Sequence, residues 1–152
     1  MSGCSSDLYF SPLNVDMTLK KIHFYFGLLI FAGFVFTGLY MRFNMAHVPH
    51  ENIPVRMMFR ANHIYILFAA LLHLAISFVN INSTKKSLEL TGSIISIVAT
   101  ITLFAAFFID PITNNLQRDI TRASVAGLFA GTILLLLNFK LSSKKQHSQQ
   151  DL

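Results

Sequence analysis

Four long apolar stretches constrain this chain more than any other feature. They run Ile22–Met41, Ala61–Val79, Leu88–Ile109 and Ala123–Phe139. A helix crossing the hydrocarbon of a bilayer needs roughly 20 apolar residues. The fourth stretch is the shortest, but it carries the run Ile133-Leu134-Leu135-Leu136-Leu137. A membrane strand would need only about ten residues and would alternate in polarity, and these stretches are longer and do not alternate. The pattern predicts an all-α integral membrane protein, an antiparallel (up-and-down) four-helix bundle with a structured outer loop between helices 1 and 2. The transmembrane domain is expected over 20–140. A polar segment, 1–19, precedes it, and a Ser-, Gln- and Lys-rich tail, 141–152, expected to be disordered, follows it.

Composition excludes the alternatives. Hydrophobic residues make up 53% of the chain and charged residues only 12%, about half the usual share for a soluble domain. That is too little charge to cover a water-soluble surface. The net charge of +5 does not indicate nucleic-acid binding, because the lysines and arginines sit at the edges of apolar blocks, where anionic head groups attract them. Cys4, the single cysteine, can form neither an internal disulfide nor a zinc site. It follows no apolar segment, as a lipoprotein cysteine would. The first 19 residues do not read as a cleavable signal peptide, and Met17, directly before Thr18-Leu19-Lys20-Lys21, is a second candidate start.

The basic residues sort by type. Lys20, Lys21, Lys85, Lys86, Lys140, Lys144 and Lys145 fall on one side of the four spans, and Arg42, Arg56, Arg60, Arg118 and Arg122 on the other. The side with seven is expected to be cytoplasmic. That puts both termini in the cytoplasm and the chain in a cell membrane of the bacterial inner-membrane type. All four prolines lie outside the apolar blocks, with Pro111 a natural stop for the third helix.

Small residues mark the expected packing faces. Gly127 and Gly131 form a GxxxG, extended backwards by Ser124. Gly92, Ser96 and Thr100 make a stripe on the third span, and Gly33 and Thr37 do so on the first. Such residues let helix backbones approach and gain contacts that lipid cannot replace. Packing within the chain is the favoured use, and a homo-oligomer face the alternative.

Three polar groups could carry chemistry. His23 and His73 lie within the spans, where ionisable residues are costly and face the bundle interior. They stand on the same half of the membrane and are candidates for ligating haem b. His47, His50 and Met45, in the connection from Arg42 to Arg60, and His63, at the mouth of the second span, have the composition of a copper site. Ordinary loop structure is the favoured account of them. Arg42, Arg60, Asn62, Arg118 and Arg122 form an outer cluster suited to an anion or lipid head group, or to interloop salt bridges with Glu51, Asp110 and Asp119. Glu89 and Asn138 read as span-end residues. No nucleotide-binding loop, nucleophile frame or mid-membrane acidic pair appears, so the chain reads as non-enzymatic. Its expected role is as a binding or accessory subunit of a membrane complex. The alternatives are a haem- or copper-binding protein and a small transporter or binder of an anionic or lipid-like ligand. The expected partners are the bilayer and another membrane protein or a second copy, with no nucleic acid.

Overall fold

The computed structural model describes residues 13–44, 53–79, 86–113 and 117–150, with side chains described over 17–44, 53–79, 86–113 and 117–138. Four helices follow in chain order: α1 (Leu13–Asn44), α2 (Ile53–Phe78), α3 (Lys86–Ile112) and α4 (Asp119–Gln150). Each is long and apolar enough to cross a membrane. The helices outrun the apolar stretches that mark them, because hydrophobicity records only the part inside the bilayer. At 1.5 Å per residue, the 32 residues of α1 span about 48 Å. Its first turns, Leu13 to Lys21, precede the apolar stretch, and no glycine or proline interrupts them.

Three boundaries differ from the sequence expectation. Helix α2 opens at Ile53, so Pro54, Arg56 and Arg60 are helical, and proline in a first turn costs no backbone hydrogen bond. Pro111 lies inside the last turn of α3. The helix runs one residue past it, and the Thr113 N–H then bonds the Ile109 carbonyl at 2.9 Å. Helix α4 continues to Gln150 through the tail expected to be disordered. That tail holds no glycine or proline, and its lysines and glutamines are good helix formers. The connection between α1 and α2, expected to be structured, now reduces to 45–52, which lies outside the described residues.

Consecutive helices pack in antiparallel pairs. Helix α1 meets α2 with His23 beside His73 and Thr37 beside His63. Helix α2 meets α3 with His73 beside Thr100 and Asn62 beside Ala106. Helix α3 meets α4 with Gly92 against Gly131 and Asp110 beside Thr121. The bundle therefore has a lysine end, where α1 and α3 begin, and an arginine end, where α2 and α4 begin.

Its polarity is inverted relative to a water-soluble bundle. Leu29, Phe36, Ile64, Val98, Ile133 and Leu136 are exposed, while His23, His73, Asn62, Ser96, Thr100 and Asp110 are buried. Lipid solvates the first set, and the second must find partners inside the protein. Between them sits an apolar core of Ile30, Phe59, Ile66, Ala70 and Phe107 and of Ala69, Ala99, Leu103 and Leu128. Gly131 sets the α3–α4 distance: a Cβ there would come within 2.3 Å of Ser96 Oγ and 2.8 Å of the Gly92 carbonyl oxygen. Gly33 faces α3 instead, against the Phe104 ring. Ser124 is buried and turns its hydroxyl back to the Ile120 carbonyl.

Candidate functional site

Helix α3 carries a polar seam. Glu89, Ser93, Ser96, Thr100 and Asp110 recur at three- and four-residue steps, with Leu103 and Phe107 in the same register. This is the helix face that points inward. The seam supplies partners to two separate groups of buried side chains.

The first group lies toward the lysine end. His23 and His73 are 1% and 0% exposed, and their Nδ1 atoms stand 2.8 Å apart. The ring centroids are 5.0 Å apart with planes 22° from parallel. A ring nitrogen lies less than a bond length from its ring centre, so the 2.8 Å contact and the 5.0 Å centroid separation agree only if the two rings meet edge to edge in nearly one plane. His23 Nε2 reaches Ser93 Oγ at 3.0 Å, and His73 Nε2 reaches Thr100 Oγ1 at 2.9 Å. Phe26 stands edge-on to His73. All four imidazole nitrogens are thus engaged within the protein.

This geometry does not fit a haem iron. Metal–imidazole bonds of about 2.0–2.1 Å would set the two nitrogens roughly 4 Å apart, and here they share one hydrogen bond. The rings also leave no slot between them for a porphyrin.

The second group lies at the arginine end. Asn62 is fully buried and donates through Nδ2 to the Ala106 carbonyl at 3.0 Å. Its Oδ1 accepts from Arg118 Nη2 and lies 3.2 Å from Thr121 Oγ1, which also meets Asp110 Oδ2. Arg118 has φ of 54°, in the left-handed region that costs a side-chain-bearing residue roughly 1–2 kcal/mol. Its carbonyl accepts the Arg122 N–H at 2.9 Å, beginning α4. The bond to Asn62 and the ring of Tyr65, 5.8 Å from the guanidinium carbon, hold the turned residue over the bundle. Arg118 reaches Asn62 rather than Asp110. Among the described residues, Arg118 Nε and Asp110 Oδ1 are buried without a hydrogen-bond partner. A cavity of about 380 Å³ opens here, lined by Tyr65, Arg118, Thr121, Arg122, Val125 and Ala126.

The expected outer cluster therefore divides. Asn62, Arg118 and Arg122 come together. Arg42 and Arg60 are exposed on α1 and α2 and do not line the cavity. The expected copper set also divides. His63 stacks on Phe34 with ring centroids 4.1 Å apart and shares a 2.9 Å hydrogen bond with Thr37 Oγ1. Met45, His47 and His50 lie outside the described residues. Among those described, no group of three or more His, Cys, Asp or Glu side chains is placed to hold a metal.

Ser93 and Thr121 were not singled out from the sequence, although both carry hydrogen bonds of the two sites. Glu89 and Asn138, read as span ends, are 5% and 0% exposed. The three–four spacing of polar residues along α3 is the signal that could have found Ser93. No protein-family model matches the chain, and comparison with curated proteins and with solved structures finds no match either.

Proposed function

We propose that this chain is a non-catalytic membrane protein that holds the phosphate of an anionic phospholipid at its arginine end. The supporting observation is the cavity that Arg118 and Arg122 share with Tyr65 and Thr121. Among the described residues no acidic side chain lines it. A guanidinium presents planar pairs of donors suited to two oxygens of one phosphate, and Arg118 Nε is still without a partner. The first turn of α4 adds the positive end of its helix dipole. Val125 and Ala126 continue the wall along α4 with apolar surface for an acyl chain. In this reading the chain acts as a binding or accessory subunit. The lysine end, with seven basic residues against five, faces the cytoplasm of a bacterial cell, and the cavity opens to the opposite leaflet.

Thermal unfolding of the full chain in a neutral detergent tests this. Added phosphatidylglycerol should raise the midpoint more than phosphatidylcholine or inorganic phosphate does. Arg122→Gln, at an exposed position, should remove most of that difference without lowering the midpoint in detergent alone. Equal shifts with both lipids, or an undiminished shift in Arg122→Gln, would refute the lipid site. A shift with inorganic phosphate alone would make the ligand a free anion.

A further inference from the structure

The bonds around His23 and His73 have a direction that their chemistry determines. The Ser96 carbonyl can only accept, so the Thr100 hydroxyl, 2.9 Å away, donates to it. Thr100 Oγ1 then accepts from His73 Nε2–H. A neutral His73 is left with a bare Nδ1, so His23 Nδ1–H donates across the 2.8 Å gap. His23 Nε2 is bare in turn and accepts from the Ser93 hydroxyl. Four bonds are satisfied in one continuous chain with both rings neutral and in opposite tautomers.

We infer that the His23–His73 pair is a binding site for a single proton, reached from the lysine end through Ser93. The chain has one movable end. As an arriving proton binds Ser93 Oγ, the serine's own proton passes to His23 Nε2. One O–H bond breaks, one O–H and one N–H bond form, and the serine hydroxyl rotates to accept from the imidazolium. The charge moves on to His73 when the shared proton crosses between the Nδ1 atoms. The bond from His73 to Thr100 stays as it was. A second proton would set two N–H groups against each other and break the central bond, so the capacity is one.

Access is one-sided. Glu89 stands four residues before Ser93 on the same helix face, one turn nearer the lysine end, and is 5% exposed. Asn138 lies at the same level on α4, from the register that sets Gly92 against Gly131 and Leu135. It is fully buried, with neither amide atom partnered among the described residues. In the other direction Ile66, Ala69, Ala70 and Leu103, each 1% exposed or less, separate the histidines from the Asn62 group. Of the described side chains at this level, the charged ones are Lys20 and Lys21 on α1, in a cleft with Ser77 and Phe78, and Glu89 on α3. Helices α2 and α4 bring none. The site is independent of any ligand at the arginine end.

Histidine-labelled nitrogen NMR on the full chain in lipid nanodiscs tests the inference, with His23→Gln and His73→Gln assigning the rings. At alkaline pH one ring of the pair should carry its proton on Nδ1 and the other on Nε2. As the pH is lowered, the pair should take up one proton, with both rings' signals moving together. Ser93→Ala and Glu89→Gln should slow that uptake several-fold in a protein that remains folded. Two rings in the same tautomer, two protons taken up independently, or rings that stay neutral until unfolding would each overturn the inference. Uptake at unchanged speed in both Ser93→Ala and Glu89→Gln would overturn the route.

Discussion

A polar side chain inside a membrane bundle has no water to fall back on, and the described residues meet that condition unequally. Asn62 satisfies it through both amide atoms: it donates to Ala106 and accepts from Arg118, with Thr121 Oγ1 also close by. Leaving a buried donor or acceptor unpaired costs about 1–3 kcal/mol. Asn62→Ala strands the Arg118 donor and removes the bond that ties α2 to the Ala106 carbonyl of α3. It should destabilise the protein by at least that amount, measured as a lower unfolding midpoint in detergent. Thr37→Val should cost less, because it removes one bond to His63, an only partly buried ring that keeps its stack on Phe34. A midpoint for Asn62→Ala equal to the unmodified chain would show that this residue does not hold α2 to α4.

At the scale of elements, α3 and α4 approach through residues without bulk, and the two glycines of the GxxxG differ in what they face. A methyl group on Gly131 meets the Gly92 carbonyl and the Ser96 backbone nitrogen at 2.8 and 2.9 Å, and backbone cannot turn aside. A methyl on Gly127 meets only the Ala99 Cβ, at 3.3 Å. Gly131→Ala should therefore force the two helices apart and cost about 1–3 kcal/mol, the usual range for overpacking. Gly127→Ala should be close to neutral. Paired unfolding curves of the two variants test this, and equal destabilisation would show that the contact is not specific to Gly131. The same close approach sets Asn138 at the level of Glu89, so loss of the α3–α4 contact should also disturb the lysine-end entrance to the histidines.

At the scale of the whole molecule, four antiparallel crossings put Lys86 and Arg122 on opposite faces of the membrane. With Cys4 replaced by serine, a single cysteine at Lys86 and one at Arg122 should react with an impermeant thiol reagent from opposite sides of sealed vesicles. Labelling of both positions from one side would remove a crossing. The two polar groups share this division. One is closed toward the arginine end and the other toward the lysine end, with Ile66, Ala69, Ala70 and Leu103 between them. No polar path joins the two faces through the described side chains in this conformation.

The number of crossings and the alternation of lysine and arginine ends could be read from the sequence alone, because bilayer thickness imposes its demand on each stretch separately. The inward placement of His23 and His73 followed from the same solvent argument. Their direct bond did not, because it joins residues 50 positions apart and depends on how each helix is rotated about its axis. Side-chain packing sets that rotation, and hydropathy does not encode it. The separation of Arg42 and Arg60 from Arg118 and Arg122 has the same origin. All four belong to one end of the bundle by sequence, and only the packing of the helices decides which guanidinium groups face a common space.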